Sequence, residues 1–235
     1  MGSNCLVPAI LNRGGLRKSS TPFDWLFAYP DEIKHSLDVD FEDWLDEQYL
    51  TIKPKFKNIN EHNSSLMTEH SLYTETGRRL NEDAEDNFHA FYHFNLLDED
   101  VRNSFNRKFN RFRFAVASTD TIVFVSNNDP EEMKLAGVHD YYKDRSASTI
   151  FVYLKEIPND MDYAKLDTSS GYNIISFGYK EGTASEKVFG DLFKLGEKAF
   201  YGDENFISNN PEVDFVCIQI CNLISSFSPD NNLTT

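Results

Sequence analysis

In this 235-residue chain, chemistry is best served by a cysteine at the start of a short apolar helix. Cys5 is followed by Leu6-Val7-Pro8-Ala9, which puts proline in the first helical turn, and Gly14-Gly15 stands just past the helix end. The positive end of a helix dipole favours thiolate over thiol, and the free N–H groups there can hold an oxyanion. A cysteine is also a small apolar side chain, and a buried helix start is its plainer role. A thiolate nucleophile needs a base within hydrogen-bond reach and a third group to orient that base, and these partners are neighbours in space rather than in sequence. His93, inside Phe91-Tyr92-His93-Phe94, and His89 one turn earlier are the candidate bases.

Three other groups of residues compete with this one. His89 and His93 have the i, i+4 spacing of a zinc-binding helix, with Asp83, Glu85 and Asp86 nearby, but no glutamate follows the first histidine. Asp38-Val39-Asp40 is an Asp-x-Asp of the kind that holds a divalent metal with a nucleotide sugar in glycosyltransferases. Asp98-Glu99-Asp100 and Asp160-Met161-Asp162 show how readily an acidic chain produces that pattern. Arg107, Lys108, Arg111 and Arg113 are interleaved with Phe105, Phe109 and Phe112; they read either as a cationic face paired with the acidic remainder or as a clamp for an anionic substrate group. Glycine-rich phosphate loops are absent from the sequence.

The elements that must position these residues follow from composition and pattern. With 40% hydrophobic residues, 20 Phe and 11 Tyr, the chain is far too apolar for disorder despite a net charge of −15. The acidic balance argues against nucleic acid and anionic membrane surfaces as partners. The three cysteines read as reduced, with Cys217 and Cys221 facing neighbours on one helix, and the opening residues do not read as a signal peptide. The apolar run 213–227 is too short and too interrupted to span a bilayer. A soluble, cytoplasmic protein is expected.

After the opening helix comes a polar loop to Pro22, then the buried run Phe23 to Phe27. Pro30-Asp31-Glu32 starts a helix, and Phe41, Trp44, Leu45 and Tyr49 carry an amphipathic helical stripe. Residues 51–86 are polar and read as an extended or loop-rich insertion rather than a core element. Residues 101–117 are helical, and strands are expected near 121–126, 149–154 and 172–179. Asp129-Pro130 caps a short helix that Gly137 ends, Thr183-Ala184-Ser185-Glu186 opens another, and Asn210-Pro211 opens the last. The pattern predicts one α+β domain over 1–227, its two halves forming lobes, with a disordered tail at 228–235.

The opening residues also resemble a known family. Gly2-Ser3-Asn4-Cys5, the pair Leu16-Arg17 and Ser20-Thr21-Pro22-Phe23-Asp24-Trp25 are similar to the start of a domain family of unknown function, named for papain-like cysteine peptidases, with members in bacteria and large DNA viruses. Phe91-Tyr92-His93-Phe94 resembles its aromatic-histidine element. Residues 107–114, followed by Ile122-Val123-Phe124-Val125, resemble its basic helix and the next strand. The resemblance implies a two-lobed papain-like α+β fold, with N-terminal helices and a C-terminal strand and helix half. It makes Cys5 the nucleophile of a hydrolase or acyl-transfer enzyme, His93 the base, and Asn4 an oxyanion donor. Asp24, Trp25, Arg107 and Arg111 become candidates for binding a small-molecule, peptide or glycan substrate. No cofactor is expected on this reading. The family's aspartate after the histidine is Phe94 here, which leaves Asp120 and Asn127 as candidate orienting groups. The alternatives remain a metal-dependent glycosyltransferase using Asp38 and Asp40, and a binding module without catalysis.

Overall fold

The computed structural model describes residues 6–24, 26, 28–54, 66–73, 91, 94–143, 148–157, 163–178 and 211–227. A four-stranded sheet organises them, in the order β3-β4-β6-β5. β3 (Thr121–Ser126) runs parallel to β4 (Ser148–Glu156), which runs parallel to β6 (Asn173–Gly178), and β5 (Tyr163–Asp167) closes the edge antiparallel. β4 is central and covered on both faces, so Val152, Tyr153 and Leu154 are all buried in succession. Because side chains alternate across a strand, Val152 and Leu154 join one apolar cluster and Tyr153 the other.

On one face lie α1 (Leu6–Arg13) and α6 (Pro211–Ser225), which pack Val7, Ile10, Val216 and Ile220 against Val125, Val152, Ile175 and Phe177. Gly14 allows the close approach: a Cβ there would collide with the Cys221 side chain and come within 2.8 Å of the Cys217 carbonyl oxygen. Arg13 and Asp214 pair across the same seam. Cys217 and Cys221 are buried free thiols on one helix, as the spacing predicts.

The other face carries an aromatic lobe built from α2 (Pro30–Asp38), α3 (Glu99–Ala117), α4 (Pro130–Leu135) and α5 (Val138–Lys143). Trp44 is its centre, with the rings of Phe91, Phe41, Phe109 and Phe23 at 5.0, 5.2, 5.5 and 5.6 Å. Its indole N–H donates to Ser36 Oγ at 2.9 Å, so the buried polar atom is satisfied. Helix starts follow their capping chemistry. Asp98 accepts from the Asp100 and Val101 amides ahead of α3, and Asp129 from the Glu131 and Glu132 amides ahead of α4.

Two expectations need correction. The stripe Phe41, Trp44, Leu45, Tyr49 is not one α-helix but two 3-10 turns, Glu42–Leu45 and Glu47–Tyr49. The chain leaves α2 through left-handed Asp40 (φ 49°) and Phe41 (φ 63°), which breaks the helical period. Arg113 grips this turn, donating to both the Asp40 carboxylate (2.9 Å) and its carbonyl (2.8 Å). The segment 51–86 is extended where described but does join the core: β1 (Leu50–Pro54) and β2 (Leu66–His70) pair antiparallel from Leu50↔His70 to Pro54↔Leu66, and Ser71–Tyr73 forms a 3-10 turn whose Tyr73 is buried in the aromatic lobe. The Thr68 amide ties this hairpin to the Phe94 carbonyl at 2.9 Å. β5 and α5 are further elements that the pattern did not announce, whereas the expected helix opening at Thr183 lies outside the described residues. Helices with one antiparallel and one mixed sheet make the class α+β. No helix among the described residues is long and apolar enough to cross a membrane.

Candidate active site

The described part of α1 runs Leu6–Arg13, and Leu6 directly follows Cys5 in the chain. Gly15 closes it in the left-handed region (φ 79°), and the Leu16 and Arg17 amides both donate to the Leu11 carbonyl at 3.0 and 3.1 Å. Cavities flank this helix on two sides. The first, about 360 Å³, lies at the carboxyl ends of β3 and β4, where Leu6 faces Asn127, Asn128, Asp129 and Tyr153. Crevices at the carboxyl ends of parallel strands are where open α/β sheets bind ligands. The second, about 250 Å³, lies between α1, the Ser19–Asp24 loop, α3 and β3, and is walled by Val7, Leu11, Phe23, Phe112 and Phe124.

In the first cavity the polar groups are held in place. Asn128 is buried; its side-chain amide donates to the Ala28 carbonyl at 3.2 Å, and its backbone amide donates to Ser126 Oγ at 3.1 Å. The Tyr153 hydroxyl shares a hydrogen bond with His139 Nε2 on α5. Burial pushes the Tyr153 phenol up and the His139 imidazole down, so both are neutral near pH 7. Asn127, a candidate orienting residue, lines this cavity, whereas Asp120 is exposed at the opposite end of six-residue β3, roughly 20 Å along the strand.

The second cavity brings together two expected substrate-binding residues, Asp24 and Arg111. Asp24 is 7% exposed, and its carboxylate accepts from the Thr21 amide and hydroxyl, each at 2.9 Å, and from Arg17 Nε at 3.2 Å. Its first task is therefore to fix the Thr21–Asp24 turn and with it Phe23. Arg111 donates to the Ser20 carbonyl at 2.8 Å across the mouth. Arg107 is exposed and does not line this cavity. Lys108 turns inward instead: it is 5% exposed, with its ammonium over the rings of Phe105 (4.1 Å) and Phe94 (4.8 Å).

Cys5, Asn4, His93 and Trp25, as well as His62, His89, Asp83, Glu85 and Asp86, lie outside the described residues. Of the described histidines, His35 meets the Asp43 carboxylate at 2.8 Å on the surface. His70 is buried with both ring nitrogens engaged: Nδ1 accepts from the Leu72 amide (3.3 Å) and Nε2 donates to the Asp43 carbonyl (3.0 Å). Burial lowers its pKa, and it serves as a neutral strut. The Asp-x-Asp carboxylates lie at the end of α2 rather than at a strand end, Asp38 paired with Lys34 and Asp40 with Arg113. Among the described residues no three of His, Cys, Asp and Glu gather as a metal site.

The pair His139–Tyr153 and the buried Lys108 were missed by sequence reasoning. Val138 and Tyr142, four apart after Gly137, are a helical signal that would have drawn attention to His139; nothing in the local pattern marks Tyr153 as its partner.

In comparisons with known proteins, the family described as "Putative papain-like cysteine peptidase" matches residues 1–151. No curated protein and no solved structure matches the chain significantly.

Proposed function

Because the chain belongs to this papain-like cysteine peptidase family, we propose that it is a thiol-dependent hydrolase or acyl-transfer enzyme with Cys5 as its nucleophile. The observation that carries the reading is the position of Leu6. The residue directly after Cys5 is the first described residue of α1 and lines a cavity of about 360 Å³ on the carboxyl edge of the sheet. A nucleophile beside that crevice, with the helix start that the sequence predicts for Cys5, is what charge development on a carbonyl oxygen requires.

In the proposed reaction His93 takes the Cys5 proton and the thiolate adds to the substrate carbonyl. Asn4 and the free N–H groups at the start of α1 hold the oxyanion. Collapse breaks the bond to the leaving group, which departs with the proton from His93, and water or a second acceptor then releases the acyl group from sulfur. Asn127, at the same cavity, is the better placed of the two orienting candidates. The domain spans 1–227 in a two-lobed papain-like arrangement, and the substrate is a small molecule, peptide or glycan bearing an acyl group.

The test is alkylation by iodoacetamide followed residue by residue. Cys217 and Cys221 serve as internal controls, since burial pushes their thiols up to about 12 and about 11. Cys5 is expected to react at neutral pH ahead of both, and His93→Ala to slow it about a hundredfold. A Cys5 that reacts no faster than the buried pair, or that ignores His93→Ala, sinks the reading.

A further inference from the structure

The cavity of about 250 Å³ beside α1 is not used by the proposed reaction, yet it opens next to where that reaction is placed. Leu6 lines the first cavity, and Val7, the next residue, lines the second. The same adjacency recurs on β3: Val125 lines the second cavity, and Asn127, just past the strand end, lines the first. Two residues of strand span roughly 7 Å, so one molecule of modest size reaches both.

Val7, Phe23, Phe112 and Val125, all buried, wall the second cavity, and its exposed border is Ser19, Arg111 and Ala115. Its charged groups are engaged with the loop beside it: Asp24 accepts from Thr21 and from Arg17, and Arg111 donates to the Ser20 carbonyl. A negatively charged ligand group would meet the buried Asp24 carboxylate, whereas a hydrocarbon group meets hydrocarbon. Apolar cavities of about 150 Å³ accept benzene. One of about 250 Å³ has room for a ring with a short chain or for an aliphatic chain.

We propose that the second cavity binds an uncharged apolar group, an aliphatic chain or a phenyl ring, and that this group is the acyl side of the substrate. The binding stands on the cavity alone; the assignment to the acyl side rests on the thiol-enzyme reading. With the carbonyl at the first cavity and the apolar group past Leu6 and Val7 in the second, the cavity sets which acyl groups are accepted. Each methylene that it buries strengthens binding about fourfold.

Two readouts on the full chain test the two halves. In the first, benzyl alcohol is titrated while the methyl NMR signals of Val7, Leu11 and Val125 are followed, in the parent and in Cys5→Ala, with benzoate as the charged control. Saturable shifts are expected with benzyl alcohol in both backgrounds, with weaker binding of benzoate. Binding is lost in Ala115→Phe, a change at an exposed position of α3 that sets a ring at the cavity's border. In the second, kcat/KM is measured on p-nitrophenyl esters from acetate to hexanoate. It is expected to rise about fourfold per added methylene in the parent and to stay flat in Ala115→Phe. Methyl signals that benzyl alcohol does not move, an Ala115→Phe variant that binds it like the parent, or tighter binding of benzoate overturns the apolar site. Shifts with a flat ester series in the parent overturn the acyl assignment. Failure to turn over any ester while benzyl alcohol still binds overturns the thiol chemistry, and the acyl assignment with it, while the apolar site stands.

Discussion

The two cavities that share α1 as a wall differ in how far their polar groups are already engaged. At the carboxyl edge of the sheet, Asn128 anchors the Ala28 carbonyl, Asp129 caps α4, and Tyr153 is tied to His139. Those three groups are fixed, beside exposed Lys155 and Glu156, a setting in which dipoles need no reorganisation as charge develops. On the other side the walls are apolar and the charged groups are engaged with the Ser19–Asp24 loop, Asp24 with Arg17 and Arg111 with the Ser20 carbonyl. Fixed dipoles suit a reacting group; an apolar wall with a few polar groups suits a bound ligand. On this comparison the proposed reaction fits the first cavity and recognition the second.

The largest effect that tests this division is on turnover. Cys5→Ala is expected to lower thiol-dependent hydrolysis by about a thousandfold or more while leaving the fold intact. Steady-state rates on an activated ester, set beside the circular dichroism of the variant, check both halves. Turnover that survives in the alanine variant breaks the division at its first term.

Lys108 gives the next effect, on stability. Its folded pKa of about 8 lies below the free value of 10.5, chiefly through burial. Between those values the unfolded chain still binds a proton that the folded chain has released, so stability rises with pH across the window. The rise is up to about 3 kcal/mol, with Asp24 opposing it and Arg17 and Arg111 adding to it. Lys108→Met should lack this rise. Urea melts of both proteins from pH 7 to 10.5 measure it, and parallel curves would show the ammonium to be solvated.

A wedge behind α1 tests whether its seam with α6 is coupled to the first cavity. Gly14→Ala places a methyl against Cys221 and the Cys217 carbonyl, so α1 and α6 must separate, at a cost of about 2 kcal/mol. Because Leu6 borders the first cavity, Cys5 alkylation should slow as stability falls. Alkylation that keeps the parent rate while stability falls would show that the seam and the cavity respond independently.

How much of this was legible depended on whether a feature is local. Asp129-Pro130 and the apolar runs near 121–126 and 149–154 carry their own structure, because capping and burial on both faces are written in adjacent residues. The turn at Asp40 and Phe41 was not readable, since Arg113, 73 residues away, holds it. β1 and β2 hid in a polar run because a two-stranded ribbon needs little apolar alternation when its contacts lie elsewhere, here through Thr68 and His70. At the candidate site the helix after Cys5 was visible, and Asp24 and Arg111 line one cavity beside it, while Cys5 itself lies outside the described residues. The burial of Lys108 was not read, although its i, i+3 and i, i+4 relations to Phe105 and Phe112 place it on the buried stripe of α3, because a lysine among Arg107, Arg111 and Arg113 was taken with the basic residues of the helix.

The smallest effect bears on the reaction side. Tyr153→Phe removes the hydroxyl that His139 Nε2 meets and leaves the ring, with its neighbours Tyr172 and His139, in place. A single buried hydrogen bond is worth about 1 kcal/mol, so the midpoint of thermal unfolding should fall by about 2–4 °C. If the pair only braces β4 against α5, Cys5 alkylation will match the parent. If it also sets the polarity of the cavity, the freed imidazole hydrates, its pKa rises toward the ordinary histidine value, and alkylation at pH 6 changes while alkylation at pH 8 does not. That pH-selective change distinguishes a polar wall of the reaction cavity from a strut beneath it, because loss of packing alone would act equally at both pH values.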